Sequence, residues 1–210
     1  MESEQLIKGI NRWTLVCGIL SVIFYILHDV IGGMYYPGYD LMTQAVSDLT
    51  ATDAPSFQIA SSYSHIFGIF SCMCCAFLCI LAHDLNKTLK LGIYMFALMN
   101  GISAIGYSLF PLSSSGYDGS FRSFMHVYVV TTLVVILSIG SLILIAIGSF
   151  KRKMRSLGIL ALIALGCMFF GAMGTSLLPK EIFGIVERFS TYSAVIFTAI
   201  LSIYAPGFNG

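Results

Sequence analysis

Apolar residues run without alternation along six stretches: Trp13 to Gly33, Phe57 to Ala82, Leu91 to Phe110, Ser123 to Phe150, Ser156 to Leu178 and Phe189 to about Tyr204. Asp29 is the only Asp, Glu, Lys or Arg inside any of them. About 20 helical residues at 1.5 Å each cross the roughly 30 Å of hydrocarbon in a bilayer. A membrane-spanning barrel would instead show a period of two. The pattern therefore predicts an all-α polytopic membrane protein, a single transmembrane domain over residues 1–210. Its six helices, at about 13–33, 57–82, 91–110, 123–150, 156–178 and 189–204, pair into three hairpins. Between the first two, Leu41, Ala45 and Leu49 recur at i, i+4 and i+8, and Asp40, Gln44 and Asp48 form a matching polar row. That spacing predicts a short interfacial helix at about 39–51, opened by Pro37-Gly38 and closed by Asp53-Ala54-Pro55.

Composition sharpens the picture. Of 210 residues, 57% are hydrophobic and 10% charged, and the mean hydropathy is +0.88. Soluble domains carry about 25% charged residues, so a soluble enzyme and a disordered chain are excluded. A net charge of +1 gives no basic footprint for nucleic acid. The lipid bilayer is the partner that the composition demands. Basic residues divide unevenly between the connections: Lys8, Arg12, Lys87, Lys90, Lys151, Arg152, Lys153 and Arg155 fall on one side, and Arg122, Lys180 and Arg188 on the other. By the positive-inside rule the protein is multi-pass in the cell membrane with both termini cytoplasmic. The first span is expected to be retained, because its flank mixes Glu with Lys and no small-residue cleavage site follows it.

All six cysteines lie within spans, four of them at 72, 74, 75 and 79. Such cysteines pack as small hydrophobes, and no basic neighbour is present to stabilise thiolates. A local repeat links two spans. Ala104-Ile105-Gly106-Tyr107-Ser108-Leu109-Phe110-Pro111 closes the third and Ala172-Met173-Gly174-Thr175-Ser176-Leu177-Leu178-Pro179 closes the fifth. Each copy has a Gly five residues past its Pro (Gly116, Gly184) and then an Arg (Arg122, Arg188). Helices three–four and five–six thus read as two copies of one hairpin.

Several short segments together carry a family resemblance. They are Tyr36-Pro37-Gly38-Tyr39, Ala45-Val46-Ser47-Asp48-Leu49, Pro55-Ser56, Phe110-Pro111, His126 early in the fourth span, and Gly184-Ile185-Val186-Glu187-Arg188. Across nearly the whole chain the sequence resembles the six-helix membrane family called domain-of-unknown-function 998. The resemblance implies a prokaryotic inner-membrane protein with no assigned activity.

Polar chemistry gathers at the end expected to face outward. His28, His65 and His126 fall at one depth, with Asp29, Asp48, Glu187 and Arg188 nearby. Ionisable groups inside a span are costly and usually face the bundle interior in pairs. The main reading is a polar cluster that binds a lipid head group, small molecule or ion, with Arg188 and Ser47 as candidate ligand-binding residues. A second reading is an intramembrane metal-dependent hydrolase acting on a lipid. His65, His126 and Asp48 would hold zinc, and Asp48 or Glu187 would be the catalytic carboxylate. A third is a single b-type haem between His65 and His126 for electron transfer. A small-molecule carrier and a purely structural role, with Arg188 paired to Glu187 and Arg122 to Asp118, complete the set.

Overall fold

Each apolar stretch is a helix, and the helices stop where the chain supplies a cap or removes a donor. The computed structural model describes residues 2–114 and 116–208. Helix α1 is Glu2–Met34, α2 Phe57–Leu81, α3 Lys87–Leu109, α4 Phe121–Lys151, α5 Arg155–Leu177 and α6 Phe183–Tyr204. All six are long and apolar enough to span a membrane, and no strand occurs among the described residues. Helix α1 begins eleven residues before the predicted span, because residues 2–12 are mostly Glu, Gln, Lys, Leu and Ile, which continue a helix readily. Asn86 caps α3 by accepting from the Leu89 N–H at 2.9 Å, and it donates to the Gly148 carbonyl of α4 at 2.8 Å. Ser120 caps α4 through the Ser123 N–H.

The repeat is visible as structure. Helices α3 and α5 end at equivalent leucines, Leu109 and Leu177, one residue before the residue that precedes proline. In each copy the next N–H (Phe110, Leu178) donates to the carbonyl of the repeat's glycine, Gly106 or Gly174. Those glycines let the helix approach a valine of the following helix, Val130 or Val186. Beyond the prolines the copies diverge. Gly116 sits in a loop at φ +79°, whereas Gly184 lies in the first turn of α6.

Packing follows chain order around a closed ring. Each helix packs on the next and α1 closes on α6, with the most extensive contacts in the pairs α1–α2, α3–α4 and α5–α6. Residues 2 and 208 lie on one face with the connections 82–86 and 152–154. This terminal face is opposite the distal face, which carries connections 35–56, 110–120 and 178–182. The apolar core, with Leu78, Leu89, Phe96, Ile145, Leu157, Phe197 and Leu201, fills the terminal half. Outward-facing side chains are also apolar along every helix, among them Ile23, Ile69, Leu98, Ile136, Ile163 and Ile203. A bilayer satisfies that surface and water does not.

The segment expected as an interfacial helix at 39–51 takes another form. A turn over residues 41–43 leads to a five-residue 3-10 helix, Val46–Thr50. The polar row is spent on that turn chemistry. Asp40 accepts from the Met42 N–H (2.9 Å) and the Thr43 hydroxyl (3.0 Å), Gln44 accepts from the Asp40 N–H (2.8 Å), and Asp48 accepts from the Ala45 N–H (3.2 Å). Side chains that bond their own backbone compete with an α-helix.

Candidate functional site

Beneath the 35–56 segment, at the distal end of the ring, polar side chains from four helices converge. The anchor is Arg188 on α6, 8% exposed, facing Asp29 on α1, 4% exposed. Their contact is bidentate: Nε to Asp29 Oδ2 at 2.9 Å and Nη2 to Oδ1 at 2.7 Å. Nη1 donates to the carbonyls of Leu41 (3.0 Å), Gln44 (3.1 Å) and Gly184 (2.9 Å). Nη2 also reaches the Tyr39 hydroxyl at 2.7 Å, and Tyr192 donates to Asp29 Oδ2 at 2.9 Å. Every nitrogen of the guanidinium is therefore engaged within the protein, which gives a charged pair buried in low dielectric the partners it requires. Tyr39 passes the network on by donating to the Ala45 carbonyl at 2.9 Å. Burial lifts its phenol to about 12, so the hydroxyl stays protonated at neutral pH.

Helix α6 begins six residues before the predicted span, and that places Glu187 and Arg188 inside it rather than at its mouth. The first turn of α6 docks directly under the loop. Gly184 donates to the Met42 carbonyl at 2.8 Å, and a Cβ at that position would collide with the carbonyl oxygens of Gln44 and Leu41. Glu187 Oε2 accepts from the Val46 N–H at 3.2 Å. A second set of bonds ties this loop to the next one: Thr52 N–H to the Leu112 carbonyl (2.9 Å) and Asp53 N–H to the Ser113 carbonyl (3.2 Å).

His126 on α4 is buried and lies in a π-helical segment, Met125–Val130. Its Nδ1 is 2.7 Å from the Phe110 carbonyl, which can only accept, so Nδ1 carries the hydrogen and Nε2 presents a lone pair. The His126 carbonyl accepts from both the N–H and the hydroxyl of Thr131, the latter at 2.8 Å, and Tyr107 of α3 bonds that hydroxyl at 3.1 Å. Asp48 Oδ2 and Glu187 Oε2 accept from adjacent loop N–H groups, those of Ala45 and Val46. The Asp48 and Glu187 carboxylates thus meet at one turn of the loop, and His126 is held on α4 by Phe110.

The other candidates are placed differently. His65 lies on the exposed face of α2. No group of three His, Cys, Asp or Glu side chains that could hold a metal ion forms among the described residues, so His65, His126 and Asp48 are not brought together. Ser47 is partly buried in the 3-10 helix, where its carbonyl accepts from the Thr50 hydroxyl. Arg188 pairs with Asp29 rather than Glu187. Arg122 is exposed, while Asp118 accepts from the Ser120 N–H at 2.9 Å, a bond that holds its carboxyl below the usual range. His28 is buried against Tyr25, with neither ring nitrogen hydrogen-bonded among the described residues. Tyr39, Tyr107 and Tyr192 are the contributors that sequence reasoning missed. Tyrosines at predicted membrane boundaries read as interfacial belts, and only the Tyr39 neighbourhood, rich in turn residues, hinted otherwise.

Searches of the curated proteins and of the solved structures return no match. Residues 18–204 match the family described as protein of unknown function DUF998, and the loop and helix residues that build the distal cluster all lie within that match. With six spanning helices and this match over most of its length, the chain belongs to the DUF998 family of membrane proteins.

Proposed function

We propose that the distal cluster binds the ammonium of a lipid head group, with the Asp48 and Glu187 carboxylates as its acceptors. One observation carries this reading. Asp48 and Glu187 each use one oxygen on a loop N–H, and no donor among the described residues engages the other. The nearest fixed positive charge, Arg188, is already committed to Asp29. Acceptors without matching donors in a low-dielectric site favour a ligand that brings N–H groups or positive charge. Arg188 then acts as the strut that holds the loop over the site, and Ser47 stands beside Asp48 as a further hydroxyl.

The test is thermal unfolding of the detergent-purified protein during titration with ethanolamine. A ligand that binds only the folded state raises the midpoint. The double variant Asp48→Asn, Glu187→Gln keeps the carbonyl acceptors for Ala45 and Val46 and removes both charges. The wild-type midpoint is expected to rise with ethanolamine, and the variant's to stay flat. Equal rises in both proteins, or no rise in the wild type, would overturn the reading. The orientation proposed with it puts the distal face outside the cell, as the excess of basic residues on the terminal face supports.

A further inference from the structure

We propose a second site, on the terminal face: the turn between α4 and α5, with the groove between those helices, binds an anionic phospholipid of the terminal-side leaflet. Lys151, Lys153 and Arg155 are exposed on this turn. Lys151 Nζ reaches the Thr88 hydroxyl at 3.3 Å, which brings the first turn of α3, with Lys87 and Lys90, alongside. Among the described residues none of these five basic groups makes a salt bridge; the acidic side chains of this face include Asp84, which pairs with His83.

The backbone of the turn adds an independent sign. Met154 N–H donates to the Ser149 carbonyl (2.9 Å) and Lys153 N–H to that of Phe150 (3.0 Å), the pattern that ends many helices at a left-handed residue. Glycine normally takes that position, yet here it is Lys153 at φ 63°. A strained backbone kept for the sake of a charged side chain points to a use for the charge.

Directly along the same two helices runs an apolar groove of about 450 Å³, lined by Ile139, Ile143, Leu162, Leu165, Gly166 and Phe169. At 1.5 Å per residue it extends from roughly 10 to roughly 20 Å from the basic turn. One leaflet of hydrocarbon is about 15 Å deep. An acyl chain laid in the groove therefore puts its phosphate at Lys151, Lys153 and Arg155. Basic pockets between helices take anionic head groups in this way. Charge selects the occupant: a second copy packed in parallel here would set one basic turn against another.

The experiment is native mass spectrometry of the full chain, extracted from vesicles of phosphatidylcholine mixed equally with phosphatidylglycerol. The expected result is retained phosphatidylglycerol in preference to phosphatidylcholine. The triple variant Lys151→Gln, Lys153→Gln, Arg155→Gln should weaken retention about a hundredfold, at roughly fivefold per charge. Gly166→Leu leaves the charges intact and fills the groove from a position where a Cβ meets nothing, and it should lose retention too. Circular dichroism and melting in detergent check that both variants fold. Equal retention of the two lipids, undiminished retention in either folded variant, or a dimer that occupies the Gly166 face would each overturn the proposal. This site is at the opposite end from Asp48 and Glu187, so neither outcome bears on the distal one.

Discussion

Arg188 shows how one side chain can organise an end of a membrane protein. It carries a full charge into a site that is 8% exposed, and it remains there because Asp29, Tyr39 and three carbonyls meet every donor. Removing one partner leaves the other charge buried and unpaired, which costs about 3–5 kcal/mol. Asp29→Asn and Arg188→Gln are each expected to lower the unfolding free energy in detergent by an amount of that order, read as a fall in the melting midpoint. Converting both together should cost less than the two single changes added. Tyr39 predicts a pH effect with a definite sign. Burial raises its folded pKa to about 12, above the ordinary value near 10. The protonated form is therefore the stabilised one: its contribution is complete below about pH 10 and is lost as pH rises from there to about 12. Tyr39→Phe should melt lower at neutral pH, by about 1–2 kcal/mol, and show a flatter decline between pH 10 and 12 than the wild type. Both ionic partners were visible in the chain as charges near span ends. Their pairing was not, because adjacent residues such as His28 and Asp29 point about 100° apart, and only packing decides which one meets α6.

At the scale of elements, the start of α6 and the loop above it form one unit. Gly184 is the contact point, with loop carbonyls where a side chain would be. Gly184→Ala is expected to lift the loop, and hydrogen exchange should then quicken at the amides of Val46 and Ala51 while the core of α3 stays protected. Glu187, held to Val46, should lose its hold in the same variant. On α4 the π-helical segment exists because the Thr131 N–H bonds the His126 carbonyl five residues back, and the Thr131 hydroxyl bonds it as well. Thr131→Val removes the hydroxyl and its bond to Tyr107. The His126 ring should become more mobile in that variant, read as broadening of its imidazole resonance. The hydrophobic repeat identified all six long helices. It misassigned the 39–51 segment because the same Asp and Gln spacing that marks a helix face also serves turns, and a five-residue element is too short for periodicity to decide.

The whole molecule is a ring of six helices with its two halves built differently. The terminal half holds the main apolar core, and the distal half combines smaller apolar clusters with a buried polar network under tethered loops. Orientation in the membrane is the prediction that belongs at this scale. A fluorescent reporter fused to the C-terminus should light in the cytoplasm, whereas a periplasmic alkaline phosphatase fused there should stay inactive. Replacing Lys151, Arg152, Lys153 and Arg155 by Ser should produce mixed topologies. Continuous runs of apolar residues determined, without any structure, that this chain is an all-helical bundle with six spans. A run long enough to cross hydrocarbon has no other way to satisfy its backbone. The prolines after Leu109-Phe110 and Leu177-Leu178 determined where two helices end, since that constraint is local. Tertiary structure alone decided that Asp29 meets Arg188, that His126 donates to Phe110, and that Asp48 and Glu187 are left with acceptors to spare. Those outcomes depend on helix rotation and, for Asp29 with Arg188 and Glu187 with Val46, on residues more than a hundred positions apart, and hydropathy carries no information about either.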